Sequence, residues 1–266
     1  MSSGTEHTIE VRGTRIRLLR GGKGPPLLFL HGASGQVGWL PFLERLSRNF
    51  DVLAPEHPGF GSSDDPPWLD RTSDLAYFYL DLMEALDLRG VHLMGTSLGG
   101  WIAAELSVRN TARLASLTLV CAVGIAPDGM TMSDVFRMSA QENARRFYVD
   151  PERAKVRLER LASADAQTLV RNRSTVVRLG YPRFLNPHLA KWLHRIDVPT
   201  LLLWGEADGL VPVAFGEAYR RAIPGAKLVI IPSAGHAPFE EQPDAFLSGF
   251  AEFLSERDIA PISSPT

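Results

Sequence analysis

Residues Gly95-Thr96-Ser97-Leu98-Gly99 set a serine between two glycines. A serine hydroxyl attacks a carbonyl only when a base takes its proton and a carboxylate steadies that base. His236, in Ser233-Ala234-Gly235-His236-Ala237-Pro238, is the histidine best placed for this work, and Asp208, in Trp204-Gly205-Glu206-Ala207-Asp208, is the favoured carboxylate. Glu206 and Asp128 are the rival acids. The remaining histidines suit the role less. His92 lies inside an apolar run, His188 and His194 fall in a helical stretch, and His7 is near the start of the chain. His31 and His57 sit in glycine-rich loops, where an imidazole braces backbone. Alone, Gly-x-Ser-x-Gly also suits a plain strand-to-helix turn in which the serine caps the helix.

Acyl transfer at a serine builds an oxyanion, and each donor aimed at it is worth roughly 10²–10³ in rate. The backbone N–H of Leu98 directly follows the candidate nucleophile. A second donor is expected from Leu30-His31-Gly32-Ala33-Ser34-Gly35, with the Ala33 N–H favoured and Ser34 the rival.

These residues need elements to hold them. Short apolar runs recur at Pro26–Leu30, Val52–Ala54, Val91–Met94, Leu117–Val120, Thr200–Trp204 and Leu228–Ile231. Runs without strict alternation predict strands buried on both faces, hence a mostly parallel sheet. Helical patterns separate them: Phe42–Arg48, Ser73–Leu88 with Ser73 as its N-cap, Gly99–Arg109, Phe215–Ala222 and Asp244–Ser255. This alternation is that of βαβ units on one sheet. Ser97 then occupies the tight turn between a strand and a helix, the setting a nucleophile elbow requires. His7–Val11 and Arg15–Leu19 alternate around Gly13-Thr14 and predict an antiparallel hairpin. Between Gly124 and Arg195 the pattern is helical only, which predicts a helical lid inserted between core segments 1–123 and 196–266. The Pro/Ser-rich tail, Ala260–Thr266, is expected to be disordered.

The 266 residues carry a net charge of −2, 45% hydrophobic residues and one cysteine, Cys121. Such a chain shows no signature of a nucleic-acid or membrane partner, and a lone cysteine excludes an internal disulfide. With no apolar leader and no membrane-length apolar run, a cytoplasmic protein is expected. No metal-ligand spacing stands out, and the serine mechanism calls for no cofactor. Oligomeric state is not legible.

Five segments, FLHGASG, APEHPGFGSSD, LMGTSLGGWIA, LLLWGEADGLVP and IPSAGHAPFEEQP, together resemble the α/β-hydrolase fold superfamily along nearly the whole chain. The resemblance implies a mostly parallel sheet flanked by helices. It assigns Ser97 as nucleophile, Asp208 as acid, His236 as base and Ala33 as oxyanion donor. It also implies a helical cap after the sixth strand, at Gly124–Arg195. Serine at the elbow separates the chain from the epoxide hydrolase and haloalkane dehalogenase branches, which use aspartate there. Two departures blur the subfamily: Glu56 stands where the loop before His57-Pro58-Gly59 often has Asp, and HGASG matches neither the HGGG nor the HGxGPG branch.

The expected reaction is hydrolysis of a carboxylic ester of a small, largely apolar substrate. Hydrolysis of a carbon–carbon bond in a ring-cleavage dienoate is the alternative, followed by lactonase or perhydrolase chemistry and by a non-catalytic ligand receptor. A pocket between sheet and lid is expected to draw its walls from Ser34, Trp39, Trp101, Phe136, Phe147, Tyr148, Tyr181, Phe184, Trp192 and Phe239. Arg145, Arg146, Arg178 and Lys191 are cations in the lid that either bind a carboxylate or form a solvated face.

Overall fold

The computed structural model describes residues 4–259 apart from Val37 and Pro182, so the tail expected to be disordered lies outside the described residues. Eight strands form one sheet: β1 (Thr5–Val11), β2 (Thr14–Gly21), β3 (Pro26–Leu30), β4 (Asp51–Pro55), β5 (Val91–Thr96), β6 (Leu114–Val120), β7 (Thr200–Gly205) and β8 (Lys227–Ile231). Their order is β1-β2-β4-β3-β5-β6-β7-β8. β1 and β2 pair antiparallel, as do β2 and β4, and all other pairings are parallel. β5 and β7 are buried at every position, which explains their unbroken apolar runs. The edge strand β1 instead exposes most of its side chains.

Helices cover both faces. α1 (Pro41–Leu46) and α9 (Pro243–Glu256) share an aromatic cluster in which Phe42 meets Phe29 at 5.2 Å and Phe246 at 6.0 Å between ring centres. α2 (Thr72–Ala85) packs against α3 (Leu98–Ser107), whose residues are all buried. α7 (Val213–Ala222) packs against β7 and β8.

Two local expectations are corrected. The hairpin turns at Arg12-Gly13, both with positive φ, and Thr14 is already paired with Val11; two left-handed residues match the twist of the flanking strands. Ser73 does not cap α2. The helix begins one residue earlier, and the Asp74 carboxylate accepts from the N–H groups of Asp70 and Arg71 at 2.9 and 3.0 Å. A carboxylate in the first turn both receives free N–H groups and meets the positive end of the helix dipole.

Between β6 and β7 run α4 (Ala140–Phe147), α5 (Pro151–Ser163), α6 (Ala166–Gly180) and a 3₁₀ turn (Ala190–Arg195). Ser139, Asp150 and Asp165 cap the three helices by accepting from Glu142, Glu152 and Thr168 N–H. Among the described residues of this segment the one β-bridge is Gly124 with Leu185. No helix among the described residues is long and apolar enough to cross a membrane.

Candidate active site

Ser97 directly follows β5 and opens α3 with φ 53° and ψ −112°. A left-handed serine costs about 1–3 kcal/mol and persists only where its surroundings force it. Here its N–H donates to Val120 C=O at 2.9 Å, and its own C=O accepts from Trp101 and Val123 N–H at 3.1 and 3.3 Å. The flanking glycines are required by space: a Cβ on Gly95 would collide with the carbonyl oxygen of Gly99, and one on Gly99 with that of Leu30. Ser97 remains partly exposed while Thr96, Leu98 and Gly99 are buried.

Asp208 lies just beyond β7 and His236 just beyond β8. Parallel pairing of β5 through β8 sets all three residues at the same, carboxyl, edge of the sheet. His236 Nδ1 is 2.7 Å from Asp208 Oδ2, with both side chains almost sealed from solvent. A carboxylate only accepts, so the ring proton sits on Nδ1 and Nε2 is the basic nitrogen. Asp208 Oδ1 takes the Leu210 and Val211 N–H groups at 2.9 and 2.8 Å, which fixes the carboxylate's orientation. The rival acids lie elsewhere: Glu206 accepts from Ser233 N–H at 3.3 Å, and Asp128 is exposed.

Cys121, directly after β6, completes a buried group with Asp208 and His236, their ligand-capable atoms lying within 4.8 Å of one another. Burial and the Asp208 charge push the Cys121 thiol well above its ordinary pKa, so it stays protonated. Asp208 already accepts from three donors. The cluster is therefore set for hydrogen bonding, and its donor set is a poor fit for a metal, which needs a thiolate and free carboxylate lone pairs.

The Ala33 and Leu98 N–H groups form no hydrogen bond among the described residues, which leaves both available to a ligand. The loop bearing Ala33 is braced from behind. His57 N–H donates to His31 Nε2 at 3.0 Å, so His31 Nδ1–H donates to Gly32 C=O at 2.7 Å. His57 Nε2–H donates to His31 C=O at 2.9 Å and its Nδ1 accepts from the Tyr79 hydroxyl. Burial pushes His31 down to about 4 and His57 well below its ordinary range, so both rings are neutral struts. Glu56 explains the first sequence departure. Its carboxylate accepts from the N–H groups of Ser62 and Ser63 at 2.7 and 3.2 Å and closes its own loop.

The β6–β7 segment reaches the site by backbone. The carbonyl of Arg146 accepts from Gly209 N–H at 3.1 Å, and that of Phe147 accepts from His236 N–H at 2.7 Å. Glu241, in α8 (Pro238–Glu241), ties the two regions from the other side by accepting from Gly235, Val149 and Asp150 N–H. Sequence reading named Phe147 and Arg146 for their side chains and missed their carbonyl contacts, which leave no side-chain signature; Glu241 it did not single out.

Of the residues expected to line a pocket, Phe147 sets its ring edge-on to His236 at 4.9 Å, and Ser34 accepts from Arg157 across the site's rim at 3.1 Å. Others lie away. Trp39 packs against the first hairpin and donates to Glu44 at 2.7 Å; Phe239 belongs to the Phe42–Phe246 core cluster. Trp101 is buried behind the elbow and donates to Glu105. Phe136 stacks on Phe184, with Tyr181 at its edge. Tyr181 and Trp192 are corrected to surface residues, 67% and 47% exposed, since their stretches present those side chains outward. Two clefts stand out, one of about 20 Å³ against Phe184 and Phe215, the other of about 180 Å³ against Tyr148, Arg157 and Glu240. Ser97, Asp208 and His236 line neither.

Known proteins similar to this chain include hydrolases of two kinds. A pimeloyl-[acyl-carrier protein] methyl ester esterase from Nitrosomonas europaea is 29% identical over 245 residues, 86% of this chain and 95% of its own. A 2-hydroxy-6-oxo-6-(2'-aminophenyl)hexa-2,4-dienoic acid hydrolase from Metapseudomonas resinovorans is 26% identical over 96% of this chain and 93% of its own. Among solved structures, a bacterial membrane phospholipase A superposes with a TM-score of 0.82 at 26% identity, covering 97% of this chain and 88% of that one. The sequence profile of the Alpha/beta hydrolase family matches residues 27–248, and with a serine elbow, an eight-stranded sheet and a buried Asp–His pair at its carboxyl edge, the chain belongs to that family.

Proposed function

We propose that the protein is a serine hydrolase that cleaves a carboxylic ester of a small, largely apolar substrate. Ser97 Oγ attacks the ester carbonyl while His236 Nε2 takes its proton, and Asp208 stabilises the resulting imidazolium. The Leu98 and Ala33 N–H groups hold the tetrahedral oxyanion. The imidazolium returns the proton to the departing alkoxide, and water, activated by the same ring, releases the acid from Ser97. The segment 124–195 acts as the cap over this edge, and substrate enters when α5 and α6 shift. The observation that carries the reading is the sealed hydrogen bond from His236 to Asp208 at 2.7 Å, which fixes the base's tautomer on the sheet edge that also bears the strained Ser97.

A second reading, carbon–carbon bond hydrolysis of a dienoate, is favoured by the end-to-end similarity to the dienoic acid hydrolase. One experiment separates them. A fluorophosphonate probe labels Ser97 and fails on Ser97→Ala, and nitrophenyl esters of rising chain length are turned over beside a ring-cleavage dienoate. Turnover of the dienoate alone transfers the assignment to the second reading. A well-folded wild type that stays unlabelled ends the serine-hydrolase reading and supports a ligand-binding receptor.

A further inference from the structure

The four cations singled out in the sequence as carboxylate ligands are accounted for otherwise. Arg178 pairs with Asp65 at 2.5 Å, Arg146 with Glu142 at 3.1 Å, Lys191 lies over the Trp192 ring, and Arg145 faces solvent. A fifth, Arg157 on α5, is different. Its side chain is partly buried, and its Nε is cut off from solvent with no hydrogen-bond partner. No carboxylate among the described residues lies within ion-pair distance of it. Its Nη2 donates to Ser34 Oγ at 3.1 Å and approaches Asn143 Oδ1 at 3.5 Å. Glu240, whose charge bears on the guanidinium, accepts instead from the Tyr148 hydroxyl at 2.9 Å. Burial pulls the guanidinium's pKa down, yet an arginine retains its proton.

The position of this cation is fixed from two sides. Ser34 is the neighbour of Ala33, the expected oxyanion donor. The guanidinium also lies over the Phe147 ring at 4.1 Å, and the edge of that ring meets His236. One residue separates the charge from the oxyanion donor, and one aromatic ring separates it from the imidazole. The cleft of about 180 Å³, whose walls carry Arg153, Arg157 and Arg160 facing Asp150, Glu152 and Glu240, leaves free volume against it. A guanidinium that is partly desolvated, has a vacant donor and is held by neutral oxygens presents the fork that a carboxylate fills.

We propose that Arg157 is the anchor for a carboxylate on the substrate's acyl or alkoxy chain, making the preferred substrate a half-ester of a dicarboxylic acid or an equally anionic ester. This rests on the serine-hydrolase reading of Ser97. Two alkyl fluorophosphonates of equal length, one ending in a carboxylate and one in its methyl ester, are compared by second-order rate of Ser97 labelling over a series of chain lengths. The wild type labels faster with the carboxylate probe by about tenfold to a hundredfold at its best length, the range of a charged hydrogen bond. Arg157→Gln brings the ratio to about one, and Arg157→Lys retains part of it. A wild-type ratio at or below one at every length overturns the proposal, and this arm needs no variant to fold. An Arg157→Gln variant that slows both probes by the same factor also overturns it, reducing Arg157 to a strut on Ser34. Absence of labelling by either probe, with Ser97→Ala as control, is failure of the underlying reading and is told apart in the same assay.

Discussion

The sheet region and the segment between β6 and β7 are held by different forces. In the sheet region, β5, β7 and α3 bury every residue, and aromatic rings interlock beneath α1 and α9. In the segment, α4 and α5 each bury a single alanine. Eight of the eleven exposed large hydrophobic residues lie there: Met130, Val149, Val156, Leu161, Val170, Val177, Tyr181 and Trp192. Leu179, Phe184, Leu189 and Leu193 join the common core, and polar contacts supply the rest of its attachment. Thr175 donates to Gly59 C=O at 2.6 Å, Asn172 accepts from Gly61 N–H at 2.8 Å, Arg171 donates to the Gly61 and Ser63 carbonyls, and Arg178 pairs with Asp65. Apolar burial is cooperative and hard to breach locally, whereas a few hydrogen bonds of about 0.5–1.5 kcal/mol each open one at a time. On the proposed function, the catalytic edge is thus built on the more apolar region, and the part proposed to admit substrate on the more polar one.

Three tests bear on that contrast. Asp208→Asn is expected to lower kcat about 10⁴-fold by losing the Nδ1–H tautomer, with the fold retained. Full activity would hand the acid role to Glu206 or Asp128. Next, Leu203→Ala in β7, wholly buried, should lower unfolding free energy by about 2–5 kcal/mol, while Leu161→Ala in α5 should change it by less than about 0.5 kcal/mol. Equal losses in urea unfolding would erase the distinction. Smallest per unit is the effect of acid. His31 and His92 are both buried and pushed by that burial to about 4. Above pH 6.5 both folded and unfolded chains hold them neutral, and stability is complete. Between pH 6.5 and about 4 only the unfolded chain takes the protons, so stability falls by about 1.4 kcal/mol per pH unit for each histidine. His92 lies in β5 and His31 directly after β3, so this loss belongs to the sheet region. Identical urea midpoints at pH 7.5 and pH 5 would refute it.

Legibility in the sequence followed the same divide. Buried strands such as β5 and β7 leave unbroken apolar runs and the first hairpin leaves alternation, so all eight strands could be read to within a few residues, and the motif residues at their carboxyl ends came with them. Ser97, Asp208 and His236 were visible because strained turns and loop acids demand particular residue types. Arg157 was not, since an arginine on an amphipathic helix has the pattern of a solvated face until burial is known. Two of the pocket aromatics lie away for a related reason: ring size signals burial somewhere, and Phe239 found it in the core and Trp39 in part against the first hairpin. Ser73 had the residue type of a cap but not the position, which Asp74 took from within the helix.

The end of α4 connects these two regimes. The carbonyls of Arg146 and Phe147 hold the backbones that carry Asp208 and His236, so α4 moves with the sheet even though it lies in the segment. If the segment caps the site as proposed, its hinge falls after Asp150. On that proposal, a cap exchanged with a relative's would have to begin beyond Asp150, because replacing the whole segment would also remove the two carbonyls that hold the backbones next to Asp208 and at His236.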